Sequence, residues 1–248
     1  MRALLTAFSF LTTIPVPTRA DLEPGELGRC TAWFPVIGVT VGLMLVGVDW
    51  CGRALWDPYV AGGLVIASNL LLTGGLHIDG LMDTADGFFS RRDREGTLAV
   101  MKDSQSGALG VASGITVLLL KVAAYGHLAG GQHWRIIALA PVLGRLGMVL
   151  GVAFLPYART MGTGHGFAEQ TRTHHAGIAT VLALVISFSL FHLMGLVLCI
   201  GAVTLALLCA LYWRHRLGGL TGDIYGATNE AVELAVLLAG GALLVRYA

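Results

Sequence analysis

Long apolar runs recur along this chain, and nothing constrains its fold more. Residues 33–50, 59–76, 108–127, 136–156, 178–192, 195–213 and 232–247 are built almost wholly of aliphatic, aromatic and small side chains. A helix needs about 20 such residues to cross a bilayer. In lipid only a helix or a closed barrel satisfies every backbone N–H and C=O. The seven runs predict an all-α, polytopic membrane bundle of about seven transmembrane helices, folded as one domain over residues 1–248. The stretch from 178 to 213 is too long for one crossing, so a tight hairpin is expected near residues 192–195. The charged fraction, 12%, agrees, since soluble domains carry about 25%.

A net charge of +1 leaves no basic field for nucleic acid. Much of the glycine falls at spacings that let membrane helices approach closely, as in Gly38/Gly42, Gly110/Gly114 and Gly147/Gly151. Cys30, Cys51, Cys199 and Cys209 show no metal-ligand spacing and read as packing residues. Arg2 precedes a short apolar run with no small-residue cleavage site after it, so residues 1–30 are expected to remain as an amphipathic or re-entrant segment.

Lys and Arg set the orientation. Arg2, Arg19, Arg29, Arg91, Arg92, Arg94, Lys102, Arg159, Arg172, Arg214 and Arg216 fall in one set of connections, and only Arg53, Arg135 and Arg246 in the other. The rich side should be cytoplasmic. Lys121 and Arg145 are left inside spans.

Chemistry gathers in the rich connections. The first, residues 76–107, lies within GGLHIDGLMDTADGFFSRRDREGTLAVMKDSQSGALG. Asp79, Asp83 and Asp86 stand at i, i+4 and i+7, which on a helix puts three carboxylates on one face over about 10 Å. Like charges so placed repel, and no Lys or Arg is interspersed. Hard oxygens with one nearby His point to Mg²⁺, or Mn²⁺, rather than zinc. Mg²⁺ usually binds through one or two carboxylates plus substrate phosphates, so a phosphate or pyrophosphate ester is the expected substrate. The bland alternative is a polar helix end beside the membrane. Lys102 could clamp a phosphate, Asp103 could add a metal ligand, and Ser104 could touch substrate; Asp103 or Ser104 could equally be a helix cap.

Further along, LPYARTMGTGHGFAEQTRTHH carries Gly162, Gly164 and Gly166 in what reads as a flexible turn. Its backbone N–H groups could approach a phosphate, with Arg159, His165 and Arg172 as nearby positive charge. His174 and His175 read as interfacial. The last connection, RHRLGGLTGDIYGATNEA, holds Asp223 in a glycine-rich turn, with Glu230 and Glu233 opening the final span. An acid as deep as Glu233 should face the bundle interior and find a partner, for which Lys121 and Arg145 are candidates.

Taken in order, FLTTIPVP (residues 10–17), FPVIGVTVG (34–42), GGLHIDGLMDTADGFF (74–89), MKDSQSGALG (101–110) and GGLTGDIYGATNE (218–230) resemble the cobalamin synthase family, the adenosylcobinamide-GDP ribazoletransferases. The resemblance departs at Gln105 and Ala108, where a basic and a bulkier residue are usual. It implies a transferase of the phosphotransferase class that joins adenosylcobinamide-GDP to α-ribazole, or its 5′-phosphate, with GMP released. It further implies a multi-pass protein of the cytoplasmic membrane, in contact with lipid. A homo-oligomer, or association with other nucleotide-loop assembly enzymes, stays open. On this reading His77, Asp83, Asp223 and Glu230 are catalytic candidates, Asp79, Asp83, Asp86 and Asp103 metal ligands, and Lys102, Ser104, Arg159 and Gly164 substrate contacts. His77 is the nearest base to the acids, and a carboxylate could equally take the hydroxyl proton. A CDP-alcohol-type phosphotransferase and a secondary transporter are the alternatives. A transporter would place its acids near the midplane rather than at one mouth.

Overall fold

A computed structural model describes residues 1–17, 21–128 and 130–247; Arg19 lies outside the described residues. Eleven helices account for nearly all of it: α1 (Arg2–Leu11), α2 (Glu26–Thr31), α3 (Phe34–Leu55), α4 (Pro58–Thr73), α5 (Leu76–Phe89), α6 (Arg94–Val100), α7 (Ala108–His127), α8 (His133–Phe154), α9 (Thr163–Gln170), α10 (Thr173–Leu217) and α11 (Gly222–Tyr247). No β-strand occurs among the described residues; one isolated bridge pairs Tyr157 with Leu220.

Four helices, α3, α7, α8 and α10, are long and apolar enough to cross a membrane, and the bent pair α4 and α5 raises the number to five. The expected seven are reached only by dividing α10 and adding α11. The 45 residues of α10 contain a break at His192, where φ is +51° and ψ −132°. Unbroken, they would extend about 68 Å, twice a bilayer core. Beyond the break the chain doubles back, bringing Gly195 against the Ser187 carbonyl. This is the hairpin expected near residues 192–195. Exposed Leu119, Val181, Val185, Ile200 and Leu208 line the outer faces. Such an apolar exterior suits lipid rather than water.

The apolar helix α8 is the buried centre, with α3, α10 and α11 packed around it and α4, α5 and α7 outside them. Gly38 and Gly42 let α3 lie directly on the α8 backbone near Pro141 and Ala138. In the interior Lys121 Nζ donates to Glu230 Oε2 and to Glu233 Oε2, each at 2.7 Å. Arg145 pairs with Glu233, and Asn229 Nδ2 donates to Glu233 Oε1 at 3.0 Å. Glu233 thus has both expected partners. At one end of the bundle Arg53 Nε and His133 Nε2 hold the buried Asp49 carboxylate, each at 2.8 Å, while Arg53 Nη2 donates to the Tyr125 carbonyl. That network ties α3, α7 and α8 together opposite the mouth where the acidic segments meet.

Candidate active site

Two glycines make the acidic mouth. Gly74 and Gly75, at φ +61° and +71°, take the left-handed backbone that side chains disfavour. They turn α5 by 92° from α4, so α5 lies across the end of the bundle instead of continuing the span. The 3.6-residue period then does what the spacing predicted, placing Asp79 and Asp83 a turn apart.

Gly80 sets what they meet. A Cβ there would sit 2.7 Å from the Asp223 carbonyl oxygen, so the bare backbone is what lets α5 touch the first turn of α11. On the facing helix, a Cβ at Gly226 would stand 3.1 Å from the His77 carbonyl. Asp223 therefore joins the α5 acids across a long sequence gap. Its Oδ2 lies 3.0 Å from Arg159 Nη2 and accepts from Thr221 Oγ1 at 3.2 Å. Partial burial pushes the Asp83 carboxyl up to about 7, and the charges of Asp79, Asp223 and Asp86 add to the shift against the opposing pull of Arg159. The mouth thus holds more negative charge than Arg159 neutralises.

Other connections lock the mouth in place. Arg94 donates from Nε to the Leu217 carbonyl at 2.8 Å and from Nη2 to the Ala158 carbonyl at 3.0 Å. Ala158 N donates to the Leu220 carbonyl at 2.7 Å, and Leu220 N to the Pro156 carbonyl at 2.9 Å. Residues from three of the four basic segments are therefore in contact.

A cavity of about 200 Å³ opens beside the acids and is lined by His77, Asp79, Asp223 and Gly164 among others. His77 is buried, and its Nε2 has no partner in the protein. Burial and the cations Arg145 and Lys121 hold its imidazole at about 3, well below the usual histidine range. Gly164 lies inside α9 rather than in a flexible turn. The turn is made at Gly162, whose φ of +139° frees the following residues to form a helix. Gly164 packs under the Tyr157 ring. Burial also pushes the Tyr157 phenol above its usual pKa, so it stays protonated beside Gly164.

The remaining candidates lie elsewhere. Asp86 accepts from Gly107 N at Oδ2 and from Gly110 N at Oδ1, both at 2.7 Å, and so caps α7. Lys102, Asp103 and Ser104 are exposed in the turn before α7, where Asp103 accepts from Gln105 N at 3.0 Å. Glu230 sits in the interior ion cluster with Lys121. Among the described residues no three His, Cys, Asp or Glu side chains stand close enough to hold a metal by themselves. Sequence reasoning missed Phe10, Phe34 and Phe167, which form the opposite cavity wall. Phe10 and Phe34 fall in the motifs quoted above, and Phe167 follows the glycine run, but no spacing links the three.

Fold and site together define a multi-pass helical membrane protein with carboxylates gathered at one mouth beside a mostly apolar cavity. The chain belongs to the cobalamin-5-phosphate synthase family, whose model matches residues 3–241 and so spans every element around the cavity. It is 38% identical over 245 residues to an adenosylcobinamide-GDP ribazoletransferase of Brevibacillus brevis, covering 96% of this chain and 97% of that protein. The enzyme of the same name from Chlorobaculum tepidum is 37% identical over 242 residues, covering 96% and 94%. That from Desulforamulus reducens is 38% identical over 236 residues, covering 95% and 94%. No solved structure matches the chain.

Proposed function

We propose that this protein joins adenosylcobinamide-GDP to α-ribazole, or its 5′-phosphate, at the acidic mouth. The ribose 3′-hydroxyl attacks the phosphorus next to the cobinamide arm. A new O–P bond forms, the P–O–P bridge breaks, GMP leaves with the bridging oxygen, and the hydroxyl proton passes to a carboxylate. The observation that carries this reading is the Gly80 contact, which brings Asp223 to Asp79 at one cavity, with Asp83 near enough to feel both charges.

The donor set suits a hard divalent ion. Three carboxylates face one arginine, and Mg²⁺ needs only one or two of them together with substrate phosphates. The lack of a ready three-ligand group among the described residues is therefore compatible with Mg²⁺ or Mn²⁺. One or two of Asp79, Asp83 and Asp223 would hold it together with substrate phosphates, while Asp86 is engaged at α7 and Asp103 stands in the exposed turn before α7. When bound, such an ion neutralises charge developing on the pyrophosphate. Arg159 stands on the same carboxylate and is placed to take a phosphate oxygen. His77, with Nε2 unpartnered, can hold the hydroxyl by a hydrogen bond. Lys102, Ser104 and the backbone around Gly164 are further substrate contacts on this reading. The Lys and Arg bias supports a cytoplasmic face for the mouth in the cell's inner membrane.

The test is GMP release by purified protein supplied with both substrates and Mg²⁺. EDTA should abolish it, and Asp83→Asn should lose far more turnover than stability. Near-normal turnover in Asp79→Asn, Asp83→Asn and Asp223→Asn alike would sink the assignment.

A further inference from the structure

The cavity has two unlike walls. One carries His77, Asp79 and Asp223; the other is the rings of Phe10, Phe34 and Phe167. The Phe10 and Phe167 centroids are 4.4 Å apart, Phe10 and Phe34 6.2 Å, and Phe34 and Phe167 6.1 Å. Three separate elements, α1, α3 and α9, deliver these rings to one place. Aromatic triads in a core normally close their space. Phe34 and Phe167 are almost fully buried, at 1% and 5% exposed, so the half-buried Phe10 offers most of this triad's face to an opening.

Resting on the reaction proposed above, we infer that the aromatic wall binds the flat dimethylbenzimidazole of the α-ribazole acceptor, and that the amino-terminal helix α1 is thereby part of the acceptor site. Size favours this assignment. Pockets for drug-sized ligands run to about 300–1,000 Å³, whereas this cavity holds about 200 Å³. That is room for one bicyclic base with part of its ribose, not for a corrin or a nucleoside diphosphate. Polarity favours it too. Guanine, the other bicyclic base in the reaction, would lay its amide edge on the phenylalanines unless it turned toward His77 Nε2 and the Tyr225 hydroxyl, the two unpartnered polar groups of the lining. A methylated benzo ring has no such edge and gains from ring-to-ring packing. With the base on the phenylalanines, the attached ribose points its hydroxyls to the acidic wall.

The donor has its own place. A second, more open hollow of about 510 Å³ shares Phe10, Leu76 and Asp79 with the first and continues past Gly75 and Met82. The two hollows thus meet at Asp79. A pyrophosphate entering by the open one reaches the carboxylates while the corrin stays outside.

The experiment measures KM for each substrate separately in Phe10→Ala and Phe167→Ala, with Phe10→Leu as a milder variant, and in parallel the affinity of free α-ribazole for the full-length protein without donor. The expected result is a rise of about tenfold or more in KM for α-ribazole, an unchanged KM for adenosylcobinamide-GDP and a matching loss of α-ribazole affinity. The Leu variant should lie between wild type and Ala. A rise confined to the donor would overturn the inference, since the cavity would then hold guanine. Unchanged values for both substrates would overturn it as well. Where a variant loses turnover altogether, α-ribazole affinity decides, and wild-type affinity overturns the inference. If the wild-type protein binds α-ribazole, loses that affinity in the variants, yet never releases GMP, the reaction reading fails while the pocket stands.

Discussion

Gly80→Ala adds one methyl group and leaves every acid in place. It asks whether the closeness of α5 and α11, rather than the acids alone, makes the site. The new Cβ would lie 2.7 Å from the Asp223 carbonyl oxygen, 3.0 Å from its Cα and 3.2 Å from its carbonyl carbon. All three are backbone atoms, so no side chain can swing away. Ordinary contact begins near 3.4 Å, and the two helices must part by about 0.7 Å. The same interface is also close at Gly226 and the His77 backbone, so parting it loosens both contacts at once. Overpacking of this kind costs about 1–3 kcal/mol of stability. A misplacement approaching 1 Å between catalytic groups can cost up to about 100-fold in rate. The expected outcome is kcat/KM reduced by about 10- to 100-fold with the chain still folded, read by GMP release beside thermal unfolding in detergent. Gly63→Ala in α4 is the control, since nothing lies within 4 Å of its Cβ. It should keep full turnover and gain up to about 1 kcal/mol from helix propensity. Wild-type turnover in Gly80→Ala would refute the idea that this contact assembles the site.

Other changes separate structural acids from those at the mouth. Asp86→Ala strips the cap from Gly107 N and Gly110 N and should cost about 0.5–2 kcal/mol, measured as a lowered Tm, with turnover falling because α7 frays beside α5. Lys121→Met leaves Glu230 without its cation and should destabilise by about 3–5 kcal/mol; a variant with unaltered unfolding would contradict the buried pairing. Single cysteines at Asp93, Gly164 and Gly219 should label from one face of the membrane, and cysteines at Asp57 and Gly131 from the other. Labelling of Asp93 and Gly164 from opposite faces would break the shared mouth. Cysteines replacing Leu81 and Thr221 should join through a short cross-linker, because their neighbours Gly80 and Asp223 touch.

Local features were legible before any coordinates. The Asp79 and Asp83 spacing needed only helix geometry, and the break at His192 needed only the length of an apolar run against a bilayer. Lys121 and Arg145 could be named as partners for Glu233 because charges stranded in spans have few others to meet. Relations between distant segments were harder to read. Asp86 matches its sister acids in sequence, yet its partners are backbone N–H groups at the start of α7, which carry no side-chain signature. Glu230 read as a site acid, but its position on α11 turns it inward to Lys121. The three-phenylalanine wall was invisible for the same reason, since single aromatic residues in apolar surroundings look like any other core residue.

The interior ion cluster sets an order on the making of the molecule. Lys121 and Arg145 lie on α7 and α8, while both of their acidic partners lie on α11, which is synthesised after them. Each cation costs about 2.5–3.5 kcal/mol at the centre of a lone spanning helix. A chain cut short before α11 would carry both cations with neither Glu230 nor Glu233, and it would lack Asp223 as well. Its unfinished helices would be held poorly in lipid and open to proteolysis. The same helix that completes the acidic mouth also neutralises the bundle, so a chain settled in the membrane is one whose acidic mouth is already complete.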